Sequence, residues 1–287
     1  MDSRKTLDSK FEYTIGWIAA LAIETAAAKA MLDERHNLPA DFSQPSNDTN
    51  SYTCGSVGEH NIVIATLPEG IHGNTSGLAT GMPMLFAFPN IKFGLLVGIG
   101  AGIPNESNDV RLGDVVISRP EGKLGGVFQY DFGKAKSNGW ERTGSLASPP
   151  QVLLKALTNM HSEHEMSASS MSKLLEAGIN RYPKLARNYT HPGAALDRLF
   201  KASYDHQPGA RTCADCDATM VIDRAKRHST DPEIHYGLIA CGNSVVKDSK
   251  VRDQIVAMEP ECICLQMEAA GLMNNFPCIV IRGICGT

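Results

Sequence analysis

The stretch Glu261–Gly286, E-C-I-C-L-Q-M-E-A-A-G-L-M-N-N-F-P-C-I-V-I-R-G-I-C-G, decides how the rest of the chain is read. Cys262–Leu265 is a short apolar run of strand character, and Met267–Asn275 reads as the start of a helix. Cys278–Ile284 is a second apolar, β-branched run. Met267-Glu268 therefore falls at a strand-to-helix junction, where sheet enzymes place polar ligand contacts.

The same alternation runs through the chain. Tyr13–Ala20, Asn61–Leu67, Phe93–Ile99, Asp114–Ser118 and His235–Cys241 read as strands. Ile23–Glu34, Ser76–Phe86, Pro149–Ser162, Met171–Ala177 and Ser249–Met258 read as helices, the second interrupted at Pro83. Such alternation predicts a layered α/β/α domain around a mostly buried sheet. Residues 137–150 and 203–234 are rich in Gly, Pro, Asp, Ser and Arg and read as long surface loops. The expected organisation is one domain over residues 11–287, preceded by a polar tail at 1–10.

Composition narrows the function classes. A chain of 287 residues with 43% apolar and 20% charged residues suits one large α/β domain. A net charge of −4 gives no reason to expect a nucleic-acid surface. The apolar stretch from Thr14 to Ile23 is too short to span a membrane, and a cytoplasmic protein is expected. Of the eight cysteines, Cys241, Cys262, Cys264, Cys278 and Cys285 lie inside apolar runs and read as reduced core thiols. Cys213-Ala-Asp-Cys216 is the one C-x-x-C. Zinc needs about four ligands. His206 and His228 could contribute, but no second pair matches the spacing, so a polar loop without metal is expected.

Gly98-Ile-Gly-Ala-Gly102 follows an apolar strand. A dinucleotide site wants G-x-G-x-x-G opening a helix, whereas here Ile103 takes the sixth position and Pro104-Asn-Glu-Ser-Asn follows. The run reads as a strand-exit loop, either a tight turn or a place where a ligand comes close to the backbone.

Seven segments, in this order, resemble the nucleoside phosphorylase/nucleosidase superfamily, in its fungal branch. They are W-I-A-A-L-A-I-E (Trp17–Glu24), H-G-N-T-S (His72–Ser76), V-G-I-G-A-G-I-P (Val97–Pro104), R-L-G-D-V-V-I-S (Arg111–Ser118), Q-Y-D-F-G-K (Gln129–Lys134), H-Y-G-L-I-A-C-G-N (His235–Asn243) and Q-M-E-A-A-G (Gln266–Gly271). The resemblance implies a three-layer α/β/α sandwich with a mixed, partly barrel-like central sheet. It also implies a purine nucleoside or nucleotide as ligand, no cofactor, phosphate as an optional co-substrate, and assembly as a homo-oligomer.

Cleaving an N-glycosidic bond passes through an oxocarbenium-like sugar. A carboxylate must stabilise that charge, a base must activate water, and an acid must protonate the leaving purine. By resemblance, Glu268 binds the ribose hydroxyls with Met267 packed on the sugar. Glu24 handles the proton of the attacking water. Gly98, Gly100 and Gly102 lie along the ribose and nucleophile. Asn243 and Val246 belong to the stretch that meets the base, and Thr75, with His72 and Ser76, could still assemble a phosphate pocket. The plainer reading of Glu24 and Glu268 is that of first-turn glutamates favoured by a helix dipole. Asp114 reads as structural, and Gln129-Tyr130-Asp131 as a contact for the ribose 5′ end or a neighbouring subunit.

Two departures from the family pattern matter. Phosphorylases of this superfamily carry an arginine two residues before the first glycine; here it is Leu96, which cannot grip a dianion, so hydrolysis is favoured over phosphorolysis. The purine-protonating Asp falls at Gly286, and the family's final helix would follow where this chain stops. The expectation is a shortened chain lacking that helix, with weak or absent turnover. The alternative is a non-catalytic nucleoside- or nucleotide-binding module, or an interaction module, of a larger protein.

Overall fold

The computed structural model describes residues 4–286 except 138, 168, 192, 207, 208, 210 and 211. In chain order the elements are β1 (Ile15–Ala19), α1 (Ala22–Met31), β2 (Glu34–His36), β3 (Tyr52–Val57), β4 (His60–Thr66), α2 (Asn74–Ala87), β5 (Phe93–Gly102) and β6 (Val115–Ser118). There follow β7 (Val127–Gln129), β8 (Gly133–Lys136), β9 (Gly139–Arg142), α3 (Gln151–Met166), α4 (Met171–Arg181) and α5 (Ala186–Tyr189). The chain closes with β10 (Ile234–Cys241), α6 (Ser249–Met258), β11 (Cys262–Gln266), α7 (Ala269–Leu272) and β12 (Cys278–Gly286).

Among the described residues, the main sheet runs β11-β10-β6-β12-β5-β1-β4-β3-β2, with β7 on β10. It is mixed: β4, β1, β5 and β12 are parallel, whereas β6 runs antiparallel to β12. The end of β5 runs beyond its pairing with β1 and pairs antiparallel with β11, Ala101 opposite Leu265 and Gly102 opposite Cys264. That contact closes β5, β12, β6, β10 and β11 into a ring. The expected glycine loop is therefore strand throughout. Gly98–Gly102 stays extended because β12 pairs with it as far as Ala101 and β11 takes its last residues.

Helices cover both faces. On one, Ala28 and Leu32 at α1 pack on Ile15, Ile62 and Ile64, and Leu153 and Leu157 of α3 pack on Ile117 and Ile279. On the other, Met84 and Ala87 of α2 and Leu272 of α7 pack on Ile18, Val63, Leu96 and Val280. The result is a three-layer α/β/α arrangement, with central strands covered on both sides and hence largely apolar. α2 and α7 come together through small residues: a Cβ at Gly77 would stand 2.9 Å from the Glu268 carbonyl, and one at Gly271 would collide with that of Asn74. This contact sets the height of the β11–α7 junction.

Three expectations need correcting. Pro83 does not interrupt α2, which is continuous over Asn74–Ala87. Asn50 Nδ2 donates to the Thr80 carbonyl at 2.9 Å, beside the Ala79 carbonyl that loses its N–H partner to the proline. The helix after Glu268 is a single turn, because Phe276 and Pro277 lead the chain into β12. The polar tail is anchored from residue 4 onward: Lys5 bridges His36, and Leu7 is buried with its carbonyl accepting the Ala40 N–H.

No helix among the described residues is long and apolar enough to cross a membrane.

Candidate active site

A cavity of about 300 Å³ opens at the carboxyl ends of β1, β5 and β11. Glu24, Glu268, Met267, Gly100 and Val246 line it, together with Arg282, Gln266 and Tyr130. The turns leaving β1 and β11 deliver Glu24 and Glu268 to this one place, beside the end of β5.

Glu24 sits in the first turn of α1, and its carboxylate is bound by backbone. Oε2 accepts the N–H groups of Ala20 and Leu21 at 2.6 and 2.8 Å, and Oε1 accepts that of Ile99 at 2.7 Å. A carboxylate has about four lone-pair directions. Three are used, leaving one on Oε1. The helix-start role and the cavity role are therefore both present in this side chain.

Glu268, buried at the start of α7, receives a hydrogen bond from Arg282 Nη2 at 3.3 Å. Arg282 projects from the middle of β12 and is 1% exposed. Its Nη2 also donates to Gln266 Oε1 at 2.9 Å, and Nη1 donates to the Ile99 carbonyl at 3.4 Å. Gln266 Oε1 in turn accepts the N–H groups of Glu268 and Ala269 at 2.8 and 3.1 Å, which fixes the start of α7. Arg282 Nε and Gln266 Nε2 are buried without a hydrogen-bond partner. Neither Arg282 nor Gln266 was singled out from the sequence. The signal was there: an arginine inside an apolar strand must be paired, because an unpaired buried charge is prohibitively costly.

Two of the glycines also have a reason within the protein itself. A Cβ at Gly98 would stand 2.5 Å from Glu24 Oε1 and closer still to Arg282 Nη1, so this glycine makes room for the polar cluster. At Gly100 the obstruction is β11, with Cys264 Sγ at 2.7 Å and the Leu265 carbonyl at 2.9 Å. Gly102 lies one step further along β5, in an adjoining groove.

Gly98 and Gly102 are not among the lining residues, and two more expected residues, Thr75 and Asn243, also stay outside the cavity. Thr75 is exposed in the first turn of α2, where the neighbouring His72 reaches the cavity instead. Asn243 acts as a latch. Its Oδ1 accepts the Asn74 N–H at 3.2 Å, and its own N–H donates to Asp131 Oδ2 at 2.8 Å. That latch holds the loop carrying Val245 and Val246. Val245 is 65% exposed, so it is rim rather than core. Leu96, at the position of the phosphorylase arginine, is wholly buried in the sheet.

Gly286 pairs with Ala101 at the end of β12, and a side chain built there would meet nothing within 4 Å. The strand cysteines are inert by environment: burial pushes the thiols of Cys241, Cys262 and Cys278 up to about 12. Asp114 is structural. It is 1% exposed and accepts bonds from Arg227, His235 and the N–H groups of Arg111 and Glu233. Burial opposes its ionisation, but these partners outweigh burial and hold the carboxyl well below the usual carboxylate range.

The chain has the fold of the nucleoside phosphorylase/nucleosidase superfamily. It aligns over 94% of its length, and 85% of the other chain, with a Borrelia burgdorferi protein assigned as a 5'-methylthioadenosine/S-adenosylhomocysteine nucleosidase and bound to adenine, at a TM-score of 0.58 and 15% identity. An S-adenosylhomocysteine nucleosidase from Streptococcus pyogenes, in complex with 5-methylthiotubericidin, aligns with 100% of this chain and 85% of its own, at a TM-score of 0.55 and 16% identity. In sequence, the chain is 41% identical over 274 residues to a nucleotide-binding leucine-rich repeat (NLR)-like protein of Hyaloscypha variabilis. That match covers 96% of this chain, which spans about a quarter (26%) of the length of that curated relative. No family profile matches the chain.

Proposed function

We propose that the cavity binds a purine nucleoside and that water cleaves its N-glycosidic bond there, with hydrolysis favoured over phosphorolysis. The observation that carries this reading is the buried Glu268–Arg282–Gln266 cluster sharing one cavity with Glu24.

Arg282 holds the Glu268 carboxylate in place, and only one of its oxygens is engaged, by a long bond. The remaining capacity suits two vicinal sugar hydroxyls, and the negative charge stabilises the cationic sugar. The free lone pair of Glu24 Oε1 can accept a proton from water. Met267, Tyr130 and Val246 supply apolar walls for sugar and base. Among the described lining residues, Arg282 is the one arginine or lysine, and it is committed to Glu268 and Gln266. Among the described lining residues no lysine or second arginine is left to neutralise phosphate, which favours water as nucleophile.

At Gly286 there is no group to protonate the departing purine, and such a group is worth ~10²- to 10⁴-fold in rate. Turnover is accordingly slow in this reading. A second reading is a nucleoside-binding module that performs no chemistry within a larger protein. Gly286 favours it, and so does the similarity to a quarter of an NLR-like protein. Self-association and a cytoplasmic location belong to the same proposal.

The test is release of free base from adenosine, inosine and methylthioadenosine, with and without phosphate. Slow, phosphate-independent release supports the hydrolase. Binding without release supports the module. Phosphate-dependent release overturns the argument from Leu96 and Arg282, and neither binding nor release overturns both readings.

A further inference from the structure

The segment between α5 and β10 is held to the sheet at its base by ion pairs. Arg224 pairs with Asp109 and Arg227 with Asp114, just before β6, while Arg224 also pairs with Asp197 within the segment. Among the described residues, its outer part has almost no apolar interior. Among the described residues 193–236, Cys216 is the one that is buried, and it belongs to none of the hydrophobic clusters. A stretch this poor in core needs another source of order.

The side chains of His206, Cys213 and Cys216 meet there. One ligand atom from each lies within 4.8 Å of both others. The Cys216 N–H donates to the Cys213 carbonyl at 3.2 Å, a turn that keeps the two cysteines of the C-x-x-C together. Arg198 donates to the same Cys213 carbonyl and brings a positive charge near the thiols. His228, also considered from the sequence, is not in this group; it lines a separate groove with Asp109 and Arg111. The other cysteines lie in or beside the sheet and make no comparable cluster with histidine among the described residues.

We propose that His206, Cys213 and Cys216 form a zinc site that orders this segment, with water completing the tetrahedron. Two thiolates and an imidazole are the donor set that zinc prefers, and hard cations such as magnesium do not. Binding releases the two thiol protons, so affinity falls as pH drops. The site also bears on the candidate active site. His206, Cys213 and Cys216 line a groove with Gly102 and Gly286, and this groove shares Ala101, Val246 and Leu265 with the nucleoside cavity. Metal binding would therefore order the groove that adjoins that cavity.

The experiment is metal analysis of the purified full chain, followed by titration with zinc alone against a chromophoric chelator. Cobalt substitution of the wild-type chain follows, read by absorption. One zinc per chain is expected, with cobalt spectra showing thiolate charge-transfer and tetrahedral d–d bands. Cys213→Ser and His206→Ala should each lower affinity by at least ~100-fold, more than the loss typical of outer-shell changes. Chelation should lower the melting temperature of the wild type and not of Cys213→Ser. The cobalt spectrum needs no variant, so misfolding of a variant does not protect the proposal. A metal-free chain with octahedral cobalt spectra would overturn it, as would a Cys213–Cys216 disulfide in chain purified under reducing conditions.

Discussion

Two buried arginine–carboxylate clusters stand at opposite ends of hydrogen-bond satisfaction. Around Asp114, every acceptor direction is used: two bonds from Arg227, one from His235 and two from backbone N–H groups. Around Glu268, one carboxylate oxygen takes a single bond of 3.3 Å, while Arg282 Nε and Gln266 Nε2 have no partner. A buried polar network gains its stability only when complete. The complete cluster ties the 197–233 segment to the sheet, whereas the incomplete one lines a cavity and has capacity left for a ligand.

Substitutions that convert one kind of cluster into the other test this contrast. The largest effect is expected from Gly286→Asp, which puts a carboxylic acid where there is open space beside the cavity. Base release should rise ~10²- to 10⁴-fold over wild type in a steady-state assay. An unchanged rate would separate residue 286 from the chemistry. Next is Asp114→Asn, which takes the main charged partner from the partly buried Arg227. It should cost about 3–5 kcal/mol in urea unfolding, with nucleoside affinity unchanged in the folded fraction.

The same residue sets an acid dependence. Asp114 has its folded pKa depressed, so its stabilisation is full above the unfolded-state value of about 3.9 and fades as pH falls below it. The gap between wild type and Asp114→Asn should therefore narrow below about pH 4, as unfolding midpoints across pH would show. The smallest effect is at Gly98→Ala, where the new Cβ crowds Glu24 and Arg282. A loss of about 1–3 kcal/mol is expected from overpacking, with nucleoside affinity falling alongside.

Much of the fold was legible because buried parallel strands announce themselves as apolar runs, as at Phe93–Ile99 and Cys278–Ile284. Short edge elements were not. β2, β3 and the β8–β9 hairpin carry Gly, Ser, Arg and Lys and depend on their neighbours for pairing. Glu24 and Glu268 stood out as acids at strand ends. Thr75 did not reach the cavity because α2 turns it outward, and Asn243 was absorbed by its latch to Asp131. Arg282 and Gln266 were hidden in plain view, because strand propensity draws attention to their apolar neighbours. His206 could not be joined to the C-x-x-C from spacing alone, since only the fold of the loop brings it back.

The central claim is that the incomplete cluster is the ligand site. It is tested most directly by calorimetric titration of adenosine into wild type and Glu268→Gln, with melting curves of both. Losing a hydrogen bond to a charged group predicts roughly 10- to 150-fold weaker binding in the variant, with a melting temperature changed far less than in Asp114→Asn. Equal affinity in the two proteins, or no binding to wild type, would contradict it.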